Sequence, residues 1–249
     1  MRLAAALESR LATALRTKVM TIRTERPIVC FTFDDAPRSA ASVGAKVLEA
    51  AGALGTFYVA CGLCGGEEEG TPILTGEDLV GLNEGGHELA CHTFSHRRVS
   101  SMSSAELRSE VERNQTFVSG LCGDVRLRNF SYPFGDVTPG RKFQAQSMFA
   151  TARGISPGVN SGTADLGLLK AVALYGDRRD DRAVEGWLDR VEREKGWLIF
   201  YTHDVGSSPS PWGATTQQLE AVVGSVRARG YEILTVRNAL GRLAPAGLR

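Results

Sequence analysis

Two aspartates, Asp34 and Asp35, stand side by side at the end of the apolar run Ile28-Val29-Cys30-Phe31-Thr32-Phe33. Two like charges at a buried strand end cannot both stay ionised without a cation nearby, and a metal ion is the simplest one. Further along, His92 and His96 are spaced i, i+4 in His92-Thr93-Phe94-Ser95-His96. On one helical turn that spacing turns both imidazoles to the same side, where they could share an ion. Together with one aspartate they form a two-histidine, one-carboxylate set, which leaves positions open for water or substrate as a catalytic zinc site requires. His203 follows a second apolar run, from Trp197 to Thr202, and is a separate acid/base group. A zincin is excluded, because its base is a glutamate directly after the first histidine and Thr93 stands there. A non-haem iron oxygenase can share the ligand set. The second aspartate and His203, however, are groups that hydrolysis needs and oxygen activation does not.

For residues so far apart in the chain to act together, the elements that carry them must end on one face. Residues 28–33, bounded by Pro27 and Pro37, read as a buried parallel strand. A helix over 39–51 stops at Gly52, and a strand follows at 54–60. Thr75 and Asp78 cap a helix that runs to Gly85-Gly86, and the strand 88–91 ends at His92. Ser103 and Glu106 form a capping box for a helix to about Gly120, after which a strand at 125–132 ends at Pro133. Thr138-Pro139 starts the next helix. Strands at 149–152 and 170–174 flank a long loop over 153–169. A helix over 181–195, a strand at 197–202 ending at His203, a helix over 215–229 capped by Gly230 and a last strand at 231–236 complete the pattern. The alternation predicts an α/β fold, a closed (β/α) barrel of seven or eight mostly parallel strands, whose strand ends meet on one face.

The 249 residues are enough for one α/β domain spanning 1–249, with no linker-like division. Lys and Arg number 29 against 28 Asp and Glu, which gives no electrostatic case for a nucleic-acid partner. The five scattered cysteines suit free thiols in a reducing compartment. Cys61-Gly62-Leu63-Cys64 has no second cysteine pair, so it reads as a loop with two thiols. The opening apolar run is cut by Glu8 and Arg10, too short for a secretory signal, and no stretch could span a bilayer; the expected location is the cytoplasm. Leu3, Leu7, Leu11 and Leu15 make residues 1–20 an N-terminal amphipathic helix, docked on the barrel or touching a membrane surface peripherally. His87 reads as a structural histidine, and the charge runs at 67–69 and 177–182 as solvated segments. Trp212, in the loop 206–214 beyond His203, could stack on a sugar ring or pack on the rim.

The chain resembles the polysaccharide deacetylases of the NodB-homology type, carbohydrate esterase family four, from about Pro27 to Leu240. The motifs are Thr32-Phe33-Asp34-Asp35, His92-Thr93-Phe94-Ser95-His96, Phe130-Ser131-Tyr132-Pro133-Phe134-Gly135 and Thr202-His203. The resemblance implies a distorted barrel of the NodB type, a divalent metal, usually zinc, and hydrolysis of an N-acetyl group on a small-molecule or lipid-linked amino sugar. It implies that Asp35, His92 and His96 hold the metal, that Asp34 is the general base and that His203 is the general acid. The backbone N–H of Phe134 would help stabilise the oxyanion. A deformylase or a cyclic-amide hydrolase would need the same core residues. Many members read Arg-Pro-Pro-Tyr-Gly in the third motif, where Ser131 and Tyr132 replace the first two residues; Arg153 is the expected substitute for that arginine, paired with Asp34. The Asp-Trp fourth motif is absent, which leaves Asp165 as the expected partner of His203. These two departures also admit a non-catalytic sugar-binding protein on a degenerate barrel.

Overall fold

The computed structural model describes residues 2–175 and 181–243, so most of the charge run expected at 177–182 lies outside the described residues. The central strand β1 (Ile28–Phe33) is buried along its whole length. In chain order it is followed by β2 (Thr56–Val59), β3 (Glu88–Cys91), β4 (Asn129–Ser131), β5 (Thr151–Arg153), β6 (Val172–Ala173), β7 (Trp197–Thr202) and β8 (Glu232–Ile233). All pair in parallel, in the order β6-β7-β1-β2-β3-β4-β5. The edge of β1 is shared, with β8 beside Ile28 and Val29 and β2 beside Thr32 and Phe33. The expected barrel is therefore present but distorted. Between its two end strands the contact is an isolated parallel bridge from Arg153 of β5 to Leu169, just ahead of β6, rather than a continuous ladder.

Helices cover the outside: α1 (Arg2–Ala14), α2 (Ala45–Ala50), α3 (Gly76–Glu84), α4 (Ser104–Cys122), α5 (Pro139–Met148), α6 (Asp181–Glu194), α7 (Thr216–Ala228) and α8 (Val236–Leu243). The expected caps form. Thr75 with Asp78 and Ser103 with Glu106 make reciprocal capping boxes, and Thr138 caps α5 with Pro139 in its first turn. Strand alternation sorts the two faces of the sheet. Val29, Phe31 and Phe33 join the core beneath the helices, whereas Ile28 and Cys30 join Trp197, Ile199 and Tyr201 inside the curl. The registers place Thr56, Glu88, Asn129 and Thr151 in phase with that inner set. Their polar groups satisfy one another: Glu88 accepts from Thr56 at 2.9 Å, Asn129 at 2.5 Å and the Arg237 N–H at 2.7 Å. Burial raises the Glu88 pKa above its ordinary value.

Several expected boundaries are corrected. The N-terminal helix stops at Ala14 rather than at residue 20, because Val19–Ile22 pairs antiparallel with Gly162–Asp165. That ribbon also replaces part of the loop expected at 153–169. Its partners lie some 140 residues apart and are too short to carry a periodic signal. The strand expected at 125–132 shortens to β4, since Gln115 of α4 captures the Val125 carbonyl and the Leu127 N–H. The last strand ends early, where Thr235 caps α8 by accepting from the Asn238 N–H.

Asp165 anchors this ribbon. It accepts from the N–H groups of Thr17, Lys18 and Gly167 and pairs at 2.6 Å with Lys142, which also donates to the carbonyls of Ala12 and Leu15. Burial opposes the Asp165 charge, but the bonds from Lys142 and Gly167 outweigh it and lower its pKa. The stabilisation is therefore complete above the ordinary value of 3.8 and is lost as pH falls through the lowered folded value. Lys142 and Asp165 are only 1% and 9% exposed. Lys142→Met should accordingly cost about 3–5 kcal/mol at neutral pH. Urea unfolding measures it, and a loss of under about 1 kcal/mol would contradict a paired buried charge.

Candidate metal centre and catalytic groups

The C-terminal strand ends open into a cleft of about 630 Å³ lined by Asp34, Asp35, His92, His96 and His203. The chain leaves β1 through two left-handed residues, Asp35 (φ 59°) and Ala36 (φ 52°), and Thr93, His96 and Phe134 are also left-handed, at φ 62°, 50° and 59°. Such conformations cost of order 1 kcal/mol or more each for residues with a Cβ. Their gathering around one cleft marks it as a place where the backbone is held for a purpose other than stability.

Asp35, His92 and His96 offer ligand atoms that all lie within 4.8 Å of one another. The i, i+4 spacing does not act through a helical turn as expected. His92 leaves β3 into a loop, and Glu110 of α4 pins that loop by accepting from the N–H groups of Phe94 (3.0 Å) and Ser95 (2.7 Å) and from the Ser95 hydroxyl (2.8 Å). The His92 Nδ1–H donates to the Ser131 carbonyl at 2.8 Å, and the His96 Nδ1–H to Glu68 Oε1 at 2.7 Å. Those bonds leave both Nε2 atoms as acceptors, 3.2 and 3.0 Å from Asp35 Oδ1, which is itself buried without a hydrogen-bond partner. Three acceptors facing one point repel unless a positive charge lies among them. The donor set, two imidazoles and a carboxylate, suits zinc or a similar divalent ion. Where only a proton is available the same demand remains. Burial disfavours the His96 charge, but the carboxylates of Asp35 and Glu68 beside the ring overcome it and raise its pKa to about 10.

Asp34 is 4% exposed and stays out of this cluster. Its Oδ1 is paired with Arg153 Nη2, which also donates to the Ser131 hydroxyl at 2.6 Å, while Nη1 donates to the Gly154 carbonyl at 3.0 Å. The guanidinium is fully buried between the rings of Tyr58 and Tyr201, each 4.9 Å from Cζ. The arginine expected to substitute for the third motif's is thus in contact with Asp34. Ser131, standing at the motif's arginine position, is one of its acceptors.

His203 Nε2 lies 3.7 Å from Asp35 Oδ2, on the same cleft. Asp165 is not its partner, since that carboxylate is committed to Lys142 and the N-terminal ribbon. Instead the His203 Nδ1–H donates to the Trp212 carbonyl at 3.1 Å. Asp204 folds the loop that presents this carbonyl, accepting from the Ser210 N–H and hydroxyl at 2.7 and 2.5 Å. Gly213 is required there, because a Cβ would lie 2.3 Å from Asp204 Oδ1. Trp212 itself is exposed on the rim, its ring edge-on to Tyr175 at 5.6 Å. Phe134 stacks on His96 at 4.4 Å, and the Arg98 guanidinium lies 4.6 Å from the Phe134 ring centroid, so its side chain lines the site.

Glu68 and Glu110 were not legible as site residues. The run at 67–69 is not a solvated loop, because Glu68 reaches His96. Glu110 carried a usable signal: it shares the buried stripe of α4 with Leu107, Asn114 and Val118, where an unpaired carboxylate would be costly. His87 is structural as expected, accepting from the Gly55 N–H and facing Glu49. Cys61 and Cys64 are free thiols.

A family model described as polysaccharide deacetylase matches residues 21–150. No match was found among curated proteins. Among solved structures the chain is similar to a family 4 acetyl xylan esterase from Clostridium thermocellum in complex with a cobalt ion, at 18% identity and a TM-score of 0.62, covering 89% of this chain and 96% of that one. It is similar also to a family 4 carbohydrate esterase from Bacillus anthracis, at 14% identity and a TM-score of 0.63, covering 94% and 92%. A mutant of a CE4 family pseudoenzyme with restored enzymatic activity shares the fold at 15% identity and a TM-score of 0.59, covering 87% and 68%.

Proposed function

The chain belongs to the polysaccharide deacetylase family, and from that premise we propose that it is a metal-dependent hydrolase removing an N-acetyl or related acyl group from an amino sugar. The observation that carries this reading is the convergence of Asp35 Oδ1 and two imidazole Nε2 atoms on one point, with a separate carboxylate and a separate imidazole on the same cleft. A divalent ion bound there would polarise the amide carbonyl and bring the pKa of a water to about 7.

The chain's own residues supply the rest. Asp34 presents Oδ2 to take a proton from the attacking water, while Arg153 holds Oδ1 and keeps the carboxylate oriented. The Phe134 N–H donates to the developing oxyanion. His203, turned by the Trp212 carbonyl so that Nε2 faces the cleft, gives a proton to the departing amine. Trp212, about half exposed, offers a ring face to the sugar. A soluble or lipid-linked amino sugar met in the cytoplasm is the substrate we favour; the free state of all five cysteines supports a reducing compartment. Among the described residues no helix is long and apolar enough to cross a membrane.

One solved neighbour derives from a pseudoenzyme, so the fold alone does not carry activity. What favours catalysis is that Asp34 and His203 accompany the three ligands, which binding a sugar would not require. The purified protein should contain close to one divalent ion per chain and release acetate or formate from acylated amino sugars. Chelation should lower the rate at least about 100-fold, since the ion supplies several kcal/mol. Metal-free protein that hydrolyses at the untreated rate would overturn the proposal.

A further inference from the structure

We propose that Glu68, on a short hairpin outside the barrel, is a positioning residue that fixes the orientation of the ligand His96 and thereby sets the metal affinity of the centre; this rests on the metal reading above. Glu67–Glu68 pairs antiparallel with Thr71–Pro72, and the two turn residues between them, Glu69 (φ 49°) and Gly70 (φ 78°), are both left-handed, as a tight hairpin turn requires. The glutamate at the first of these positions bears a conformational cost that glycine would not. The hairpin is tied down at its base. Gly65 donates to the Leu74 carbonyl at 2.9 Å, Ile73 to Gly66 at 2.9 Å and Leu74 to Ala36 at 3.2 Å, so it is moored to the residue that follows Asp35.

From that mooring Glu68 Oε1 meets His96 Nδ1 at 2.7 Å, and its Oε2 is buried with no hydrogen-bond partner. A carboxylate does not give up hydration at one oxygen unless the other is well used. The bond to His96 fixes the tautomer with hydrogen on Nδ1, so Nε2 keeps its lone pair for a cation, and it sets the plane of the ring. His92 is fixed in the same way by a backbone carbonyl, which no substitution removes. His96 therefore depends on a side chain where His92 does not. Phe134, stacked on the His96 ring at 4.4 Å, completes its alignment.

The test is titration of the metal-free full-length protein with Co²⁺, read by visible absorption and by competition with a chromophoric chelator, on wild type, Glu68→Gln, Glu68→Ala and, as a control, Glu67→Ala. Loss of such an outer partner weakens metal affinity about 10–100-fold. Glu68→Ala should show that loss with an altered absorption envelope. Glu68→Gln, which keeps an acceptor oxygen, should fall between it and wild type, and Glu67→Ala should match wild type. Thermal unfolding of the metal-free proteins should show all four folded with one cooperative transition, which separates positioning from a role in folding. Glu68→Ala binding Co²⁺ as tightly as wild type, with the same spectrum, would overturn the assignment. A wild type that takes up no Co²⁺ would overturn the metal reading itself, and this proposal with it.

Discussion

Asp34→Asn should cut kcat on an acylated amino sugar by about 10²–10⁴-fold, the range associated with a positioned general base, while leaving the metal content unchanged. The substitution keeps the size of the side chain and an oxygen for Arg153, but removes the capacity to take a proton together with the charge that faces the guanidinium. The metal is retained because Asp35, not Asp34, shares the cluster with His92 and His96. Asp35→Asn should do the opposite in order of cause, lowering metal content first and activity as a result. Elemental analysis alongside kcat distinguishes them. If Asp34→Asn emptied the protein of metal while Asp35→Asn kept it, the roles given to the two aspartates would have to be exchanged.

The second large effect concerns Arg153, whose guanidinium is fully buried against Asp34. Burial works against its charge, but Asp34 more than offsets this and raises the Arg153 pKa, so the pair is ionic in the folded state. Removing one member of such a pair strands the other in a low-dielectric interior, at about 3–5 kcal/mol. Arg153→Ala should lose that much stability and most of the activity. Arg153→Lys should rescue little, because an ammonium lacks the planar fork that serves Asp34, Ser131 and the Gly154 carbonyl at once. The combined Asp34→Asn, Arg153→Met protein should regain part of the stability but none of the activity, since the stranded charge is gone and so is the base. Urea unfolding of the single and double variants gives the coupling. Wild-type activity in Arg153→Ala would show that this pair is not part of the catalytic machinery.

The motifs lay far apart in the chain, yet their convergence was legible. Alternating strand and helix patterns force parallel strands, and parallel strands put all their C-terminal ends on one face. Asp34, Asp35, His92 and His203 follow directly from those ends, so knowing where each strand stops was enough to group them. The capping residues Thr75, Ser103 and Thr138 were legible for a related reason, since each bonds a backbone N–H three residues away and needs nothing from the rest of the fold. Arg153 was within reach because it also sits at a strand end.

The supports of the site were decided only in three dimensions. Glu68 resembles an ordinary surface acid in the chain, and Glu110 stands out only as an acid on a buried helix stripe; the first meets His96 across 28 residues, the second the loop at 94–95 across 15 or 16. The partner of His203 is the Trp212 carbonyl, a backbone atom that every residue possesses and that no residue type could reveal. Asp165 shows the converse: its position in sequence suggested a catalytic partner, and the packing of α5 beneath the N-terminal ribbon gave it to Lys142. Residue type and local period thus determined the strands, the caps and the reactive groups, because those depend on near neighbours and on the handedness of the chain. Which group orients which depended on the curl of the sheet and the packing of loops over it, where contacts join residues that share no local pattern.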